Sequence, residues 1–421
     1  MIQGLKKNAF ARNSAVLFAG SMVANILNYV FHLVVGRMVS VQVYGEVESL
    51  ISLMNIISVP AMTLTMVATK YAAQCKAVDD KNGSYKIIEY MNKRVFKYGI
   101  PVLLITFFAT PYISSFLNIE SNVPLVIIWI SMFFSFLLAI NNGILNGWQK
   151  FKDVSVSGIW GVVVKLVSVI IFVKIGFQLN GLISSFLLSI IAAYIASNVT
   201  LRFILKDRRM DGSSCETKVD FKLIKKYILP VFVGTLAMNI FGNIDMVIAK
   251  HNLDAIVAGQ YGALTIVSKI IFFATGVIGS VLFSMSAEDH HKQNNSLHIL
   301  KNASYLMIFM CLSAIAIYFA FPGLIMSVLF GNKYVNVLGY LGQFAIMVSL
   351  FSFVNLFFSY LMSISRTNIS YMLLAISAIL LIVLLFFGTS IYAIITIMIV
   401  AQIVAILSSL FLVFYSQNLK V

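Results

Sequence analysis

The sequence has little charge and still less acid. Only 11% of its 421 residues are charged, 15 of them Asp or Glu against 30 Lys or Arg, for a formal charge of +15. A soluble domain carries about 25% charged residues, so this chain lacks the polar surface that would coat a soluble globule. Cysteine is scarce, at 3 residues. Cys75, Cys215 and Cys311 have no metal-ligand spacing, and with Cys75 and Cys215 assigned to cytoplasmic segments no disulfide is expected. There is no G-x-x-x-x-G-K-[ST] loop, which excludes nucleotide hydrolysis by that route, and no H-E-x-x-H or paired-Cys motif for a metal. The predicted outer loops are short and hold few acids, chiefly Glu120 and Asp254. A membrane glycosyltransferase or polymerase would need catalytic acids or a large outer loop there. No resident cofactor is expected.

Apolar residues are what the chain has, at 60%, with a mean hydropathy of +0.95. They come in blocks long enough to cross a bilayer, which needs roughly 20 residues per helix. In hydrocarbon each backbone amide must be satisfied within the chain, so such blocks are helices. The expected fold is therefore an all-α polytopic membrane protein with twelve transmembrane helices, at 14–36, 44–67, 98–117, 123–145, 154–176, 181–204, 227–249, 259–285, 302–321, 338–363, 370–388 and 391–416. The first block is longer than a signal-peptide core and lacks a small-residue cleavage site, so it reads as a span. Orientation follows from the basic residues. Most of the 30 fall in the even loops and at the termini, while the odd loops hold only Arg37, Lys174, Lys250 and Lys333. That asymmetry places both termini in the cytoplasm of a multi-pass cell-membrane protein. It also accounts for the positive charge without nucleic acid, because the cations are scattered along loop ends; contact with membrane lipids suits them better.

The longest polar stretches lie between spans two and three and between spans six and seven. The latter contains KDRRMDGSSCETKVDFKLIKK and reads as a cytoplasmic linker, residues 206–226, between an N-terminal six-helix lobe (1–205) and a C-terminal one (227–421). The halves show weak internal similarity. Asn25-Ile26 precedes Tyr44-Gly45, and Asn239-Ile240 precedes Tyr261-Gly262, each as span, short outer loop, Tyr-Gly, span. GWQKFK ends the fourth span where SISRTN ends the tenth. Six spans per half make the repeats parallel, related by a pseudo-two-fold axis along the membrane normal.

Ionisable residues inside spans carry the strongest functional signal, since each costs about 2.5–3.5 kcal/mol at the bilayer centre and needs a partner or a wet cavity. Lys165 shares a stripe with Gly158, Gly161 and Ser168, and Lys269 with Gly262, Thr265, Gly276 and Ser280. Each is either a structural ion pair between helices or the cationic wall of a cavity. Glu48 and Asp245, nearer the outer ends of spans two and seven, either couple to a cation or proton or partner a nearby base. Glu46 at the same interface reads as solvated. His32 completes a polar face with Asn25 and Asn28; a lone membrane histidine is either a packing residue or a proton carrier. Asn142 lies on the polar face of span four. Such faces suit a shared hydrophilic cleft, and they also suit polar helix packing.

With the two-lobe layout, the Tyr-Gly openings of spans two and eight and the segment NNGILNGWQKFK at 141–152, the chain resembles the multidrug, oligosaccharidyl-lipid and polysaccharide exporter superfamily, and within it the Wzx-like polysaccharide flippases. The resemblance implies a MATE-like pair of bundles and a transporter, not an enzyme. It would flip a lipid-linked oligosaccharide, a polyprenyl-diphosphate glycan, for surface polysaccharide biosynthesis. A glycan polymerase or glycosyltransferase would be its partner, and proton or sodium its coupling ion. A cation-coupled multidrug exporter of the same superfamily is the second reading, and a membrane enzyme or scaffold of glycan assembly the third. On the first reading Lys165 and Lys269, with Asn25, Asn28 and Asn142, face one cavity and hold the diphosphate, while Glu48, Asp245 and His32 couple the ion. Midplane lysines suit an anionic substrate, whereas an exporter of organic cations would want carboxylates and aromatics.

Overall fold

The computed structural model describes residue 20 and residues 22–205, 221–291 and 296–418. Residues 206–220 of the expected linker lie outside the described residues; Phe221 to Lys226 are helical. No strand occurs among the described residues. The helices are α1 (Met22–Met38), α2 (Val41–Ile57), α3 (Val59–Ala77), α4 (Lys81–Phe116), α5 (Val123–Gly147), α6 (Phe151–Ile175), α7 (Gln178–Thr200), the single turn α8 (Arg202–Leu205), α9 (Phe221–Asn252), α10 (Ala255–His291), α11 (Leu297–Ala320), α12 (Pro322–Phe330), α13 (Leu341–Ser363), α14 (Asn368–Phe387) and α15 (Ile391–Asn418), with a 3₁₀ stretch, Asn332–Tyr340, before α13. Among the described residues eleven helices are long and apolar enough to cross a membrane, and the apolar α1 adds a shorter one. The protein is an all-α polytopic membrane protein.

Three features differ from the span map. Span two is broken: α2 ends at Ile57 and α3 starts at Val59, with Pro60 in the first turn of α3. Proline has no N–H to continue the ladder and is pre-set for a helix start. Span three begins far earlier than residue 98, because α4 runs through the polar stretch from Lys81, where the Asp80 carboxylate caps the helix by accepting from Gly83 N at 2.7 Å. The loop expected between spans nine and ten is α12 and the 3₁₀ stretch.

The chain forms two compact units: Met1–Val39 with Ile57–Ile224, and Ser40–Ile56 with Lys225–Val421. The boundary after Ile224 lies within the linker expected at 206–226, but Ser40–Ile56, which carries most of α2, is grouped with the second unit.

In the first unit α5 packs on α3 through Gly143 and Gly147, a G-x-x-x-G pair. A Cβ at Gly143 would lie 2.5 Å from the Ala68 methyl and 2.6 Å from the Thr65 carbonyl, and one at Gly147 would lie 2.5 Å from the Ala72 methyl. Membrane helices lack a hydrophobic force between them, so close backbone approach over small residues supplies the packing energy. Hydrogen bonds add to it: Thr65 Oγ1 donates to the Ala139 carbonyl (3.1 Å) and Asn141 Nδ2 to Ser197 Oγ on α7 (2.9 Å). The NNGILNG segment is thus a packing device as well as a polar helix end.

In the second unit α13 is central, with α10, α11 and α15 packed on it. Phe272 stacks on Phe351 at 4.9 Å and Thr275 Oγ1 donates to Ser352 Oγ at 2.9 Å, joining α10 to α13. The α2 segment joins this unit by glycine against glycine. A Cβ at Gly45 would lie 2.6 Å from Gly259 N, and one at Gly259 would run into the Val41 carbonyl. Tyr44, fully buried, lies edge-on to Phe330 and Tyr334.

Candidate functional site

Lys165, on α6, is only 5% exposed. Its Nζ donates to Asn28 Oδ1 on α1 at 2.5 Å. It also lies 4.4 Å from the ring centre of Phe31 and 4.6 Å from that of Phe186 on α7, two rings that meet edge to face at 5.1 Å. Gly161, one turn before Lys165, allows this: an added Cβ would lie 2.9 Å from the Ser189 carbonyl, so α7 approaches α6 closely enough to bring Phe186 over the ammonium. Cation–π attraction strengthens when the cation is desolvated. Asn28 and the two rings hold the lysine in place. His32 follows Phe31 and its ring lies edge-on to it at 5.3 Å. Asn25 is exposed on α1 about one turn before Asn28. Asn142 is half-buried on α5, with its Oδ1 buried and without a hydrogen-bond partner among the described residues, while its neighbour Asn141 bonds Ser197.

The second unit carries its own polar cluster. Lys269 Nζ, on α10, donates to Asn243 Oδ1 on α9 at 3.2 Å, and Asn55 Nδ2 on α2 donates to the same oxygen at 3.1 Å. Asn243 is held in register by its own Nδ2, which donates to the Asn239 carbonyl at 3.0 Å. Asp245 is 3% exposed; its Oδ2 accepts from the Tyr261 hydroxyl at 2.8 Å, and its Oδ1 has no hydrogen-bond partner among the described residues. Asp245 also interacts electrostatically with Lys269. Glu48 is buried, with its methylenes stacked over Gly262 where a Cβ would lie 3.1 Å away.

Two placements correct the sequence reading. Lys250, assigned to an outer loop, is buried in the last turn of α9, and Glu46, read as solvated, faces it with Nζ and Oε1 3.7 Å apart. The tight turn from α9 into α10 leaves the end of α9 packed inside the unit. Sequence reasoning passed over Phe31, Phe186, Asn243 and Tyr261 as site residues. Asn243 follows Asn239 at helical spacing, a legible signal. The two phenylalanines are among 34 in the chain, and nothing local distinguishes them.

The fold has the architecture seen in structures of MATE family transporters. Over 96% of this chain and 99% of the other, the structure superposes on an inward-facing multidrug resistance MATE family transporter of the MOP superfamily with a TM-score of 0.73 at 14% identity. It also matches a MATE in complex with MaD5 (TM-score 0.66, 15% identity, 98% and 97% of the chains). A MOP superfamily transporter from Pyrococcus furiosus matches with a TM-score of 0.59 at 16% identity over 96% and 95%. An uncharacterized membrane protein of Methanocaldococcus jannaschii is 21% identical over 290 residues, which is 64% of this chain and 66% of that protein's length. Residues 10–290 match the family described as polysaccharide biosynthesis protein, and the chain belongs to that family.

Proposed function

We propose that the protein is a secondary transporter that flips a polyprenyl-diphosphate oligosaccharide across the cytoplasmic membrane for surface polysaccharide assembly. The carrying observation is Lys165: a buried ammonium on an apolar helix, fixed by Asn28, Phe31 and Phe186. A buried cation in a low-dielectric site attracts a diphosphate more strongly than one in water. Lys269 supplies a second point charge from its own unit. Single ammonium groups suit a substrate that must be released, whereas a bidentate arginine clamp would hold it. Asn25, Asn28 and Asn142 offer amides for the sugar or phosphate oxygens. The membership in a polysaccharide biosynthesis family supports this substrate class. For the Pyrococcus furiosus transporter of like fold, a reversed polarity of the binding pocket was taken to suggest a different function.

Asp245, Glu48 and His32 are the coupling groups in this reading. Asp245 counters Lys269, and a proton or sodium ion on the carboxylate competes with that role, so loading of the ion and of the anionic substrate influence each other through linkage. Both termini are cytoplasmic, and a polymerase or glycosyltransferase works beside the transporter.

The test is a glycan-display assay in a strain lacking the transporter, with Lys165→Ala, Lys269→Ala and the double variant at matched membrane abundance. Each single variant is expected to lower display and the double variant to abolish it. Normal display in the double variant overturns the mechanism.

A further inference from the structure

Helix α4 has 36 residues, about 54 Å at 1.5 Å per residue, although about 30 Å crosses the hydrocarbon core. Its surface is divided along its length. From Ile100 to Tyr112 the exposed side chains are apolar, with Phe108 74% and Tyr112 80% exposed. That half is the lipid-facing one. Before Ile100 the helix has two contrasting faces. Ser84, Ile88, Met91 and Val95 are buried in the core of the first unit, and Trp148 Nε1 donates to Ser84 Oγ at 2.9 Å. The opposite face exposes Lys86, Tyr90, Lys93, Arg94, Lys97 and Tyr98. Arg94 lies 4.4 Å over the Tyr90 ring and Lys97 5.7 Å from that of Tyr98. One acid shares the face, Glu89, paired with Lys93 at 2.8 Å.

We propose that this face of α4 binds the headgroups of anionic phospholipids. Lys97, Arg94 and Lys93 lie three to seven residues before Ile100, about 4–10 Å along the axis. The headgroup layer of one leaflet, about 5–8 Å thick, begins where the apolar surface stops. Tyr90 and Tyr98 have the amphipathic character that favours that layer. The inner face of the helix is locked by packing, so the cations are ordered before lipid arrives. Lys97 and Arg94, exposed and nearest to the apolar surface that begins at Ile100, are the main attractors. A merely solvated basic face would show no preference between lipids.

The probe is a mixture of phosphatidylglycerol and phosphatidylcholine, added to the full-length protein in micelles and read by native mass spectrometry of lipid adducts. The wild type is expected to retain phosphatidylglycerol preferentially. Arg94→Gln/Lys97→Gln should lose about fivefold of that preference for each cation removed, since a cation at an anionic surface contributes about 1 kcal/mol. Lys174→Gln/Lys333→Gln, two exposed cations elsewhere, should keep it, and unchanged melting temperatures show that both variants are folded. Equal retention of the two lipids by the wild type overturns the proposal, as does an unchanged preference in Arg94→Gln/Lys97→Gln. So does selective displacement of phosphatidylglycerol by a short polyprenyl diphosphate, which would make the stripe a substrate site. Micelles have no leaflets, so failure here is separate from failure of the proposed topology or transport.

Discussion

The Lys250 ammonium lies 3.7 Å from the Glu46 carboxylate, and the pair joins the last turn of α9 to α2 inside the second unit. Lys250 is 2% exposed and Glu46 13%. Lys250 also sits at a helix C-terminus, where the macrodipole favours a cation. Removing one member of a buried pair leaves a charge without its counter-ion, at a cost of about 3–5 kcal/mol, whereas removing both costs far less. Lys250→Met is therefore expected to lower the melting temperature of the purified protein sharply, and Glu46→Gln/Lys250→Met to recover much of the loss. Additive losses in the double variant would show that the two groups are energetically separate.

The G-x-x-x-G seam makes a second prediction. Gly143→Ala places a methyl 2.5 Å from Ala68 Cβ and 2.6 Å from the Thr65 carbonyl, so α3 and α5 must separate. Overpacking of this kind costs about 1–3 kcal/mol. Gly158→Ala, where an added Cβ meets nothing within 4 Å, should be neutral or stabilise slightly, because alanine is the better helix former. Thermal unfolding of the two variants under one detergent condition gives the comparison. Equal melting temperatures would mean that the seam tolerates separation.

At Lys165 the aromatic faces can be tested without opening a large cavity. Phe186→Leu keeps an apolar side chain of similar bulk and removes one π face, an interaction of about 0.5–2 kcal/mol. Glycan display should fall at unchanged membrane abundance, and Phe186→Tyr should largely preserve it. Full display in Phe186→Leu would assign Phe186 to packing alone.

Asp245 supplies the coupling prediction. In proteoliposomes the wild type should respond to an imposed proton or sodium gradient, and Asp245→Asn should lose that response while still binding a polyprenyl-diphosphate probe. Asparagine preserves the shape and can still accept from the Tyr261 hydroxyl, which bonds Asp245 Oδ2 at 2.8 Å. An Asp245→Asn transporter that follows the same gradient as the wild type places the coupling elsewhere.

The sequence by itself determined the class of fold and the main charged candidates. An apolar run of bilayer length has only the helix available to it, because hydrocarbon offers no partner for a bare amide. Lys165, Lys269, Glu48 and Asp245 were legible because a charge inside such a run stands out by its cost. What surrounds those charges was decided only by tertiary structure. Lys165 meets Asn28 from 137 positions away, and in a chain with 34 Phe nothing local selects Phe31 and Phe186 to flank it. Asn55 and Asn243, 188 positions apart, meet at one oxygen with Lys269. Span two read as one continuous helix, and its break beside Pro60 appears only in the structure; the grouping of Ser40–Ile56 with the second unit depends on Gly45 fitting against Gly259. Lys250 read as a loop cation because hydropathy weighs each residue by its neighbours in the chain. Whether it meets water or Glu46 depends on how α2 and α9 pack, which no local window contains.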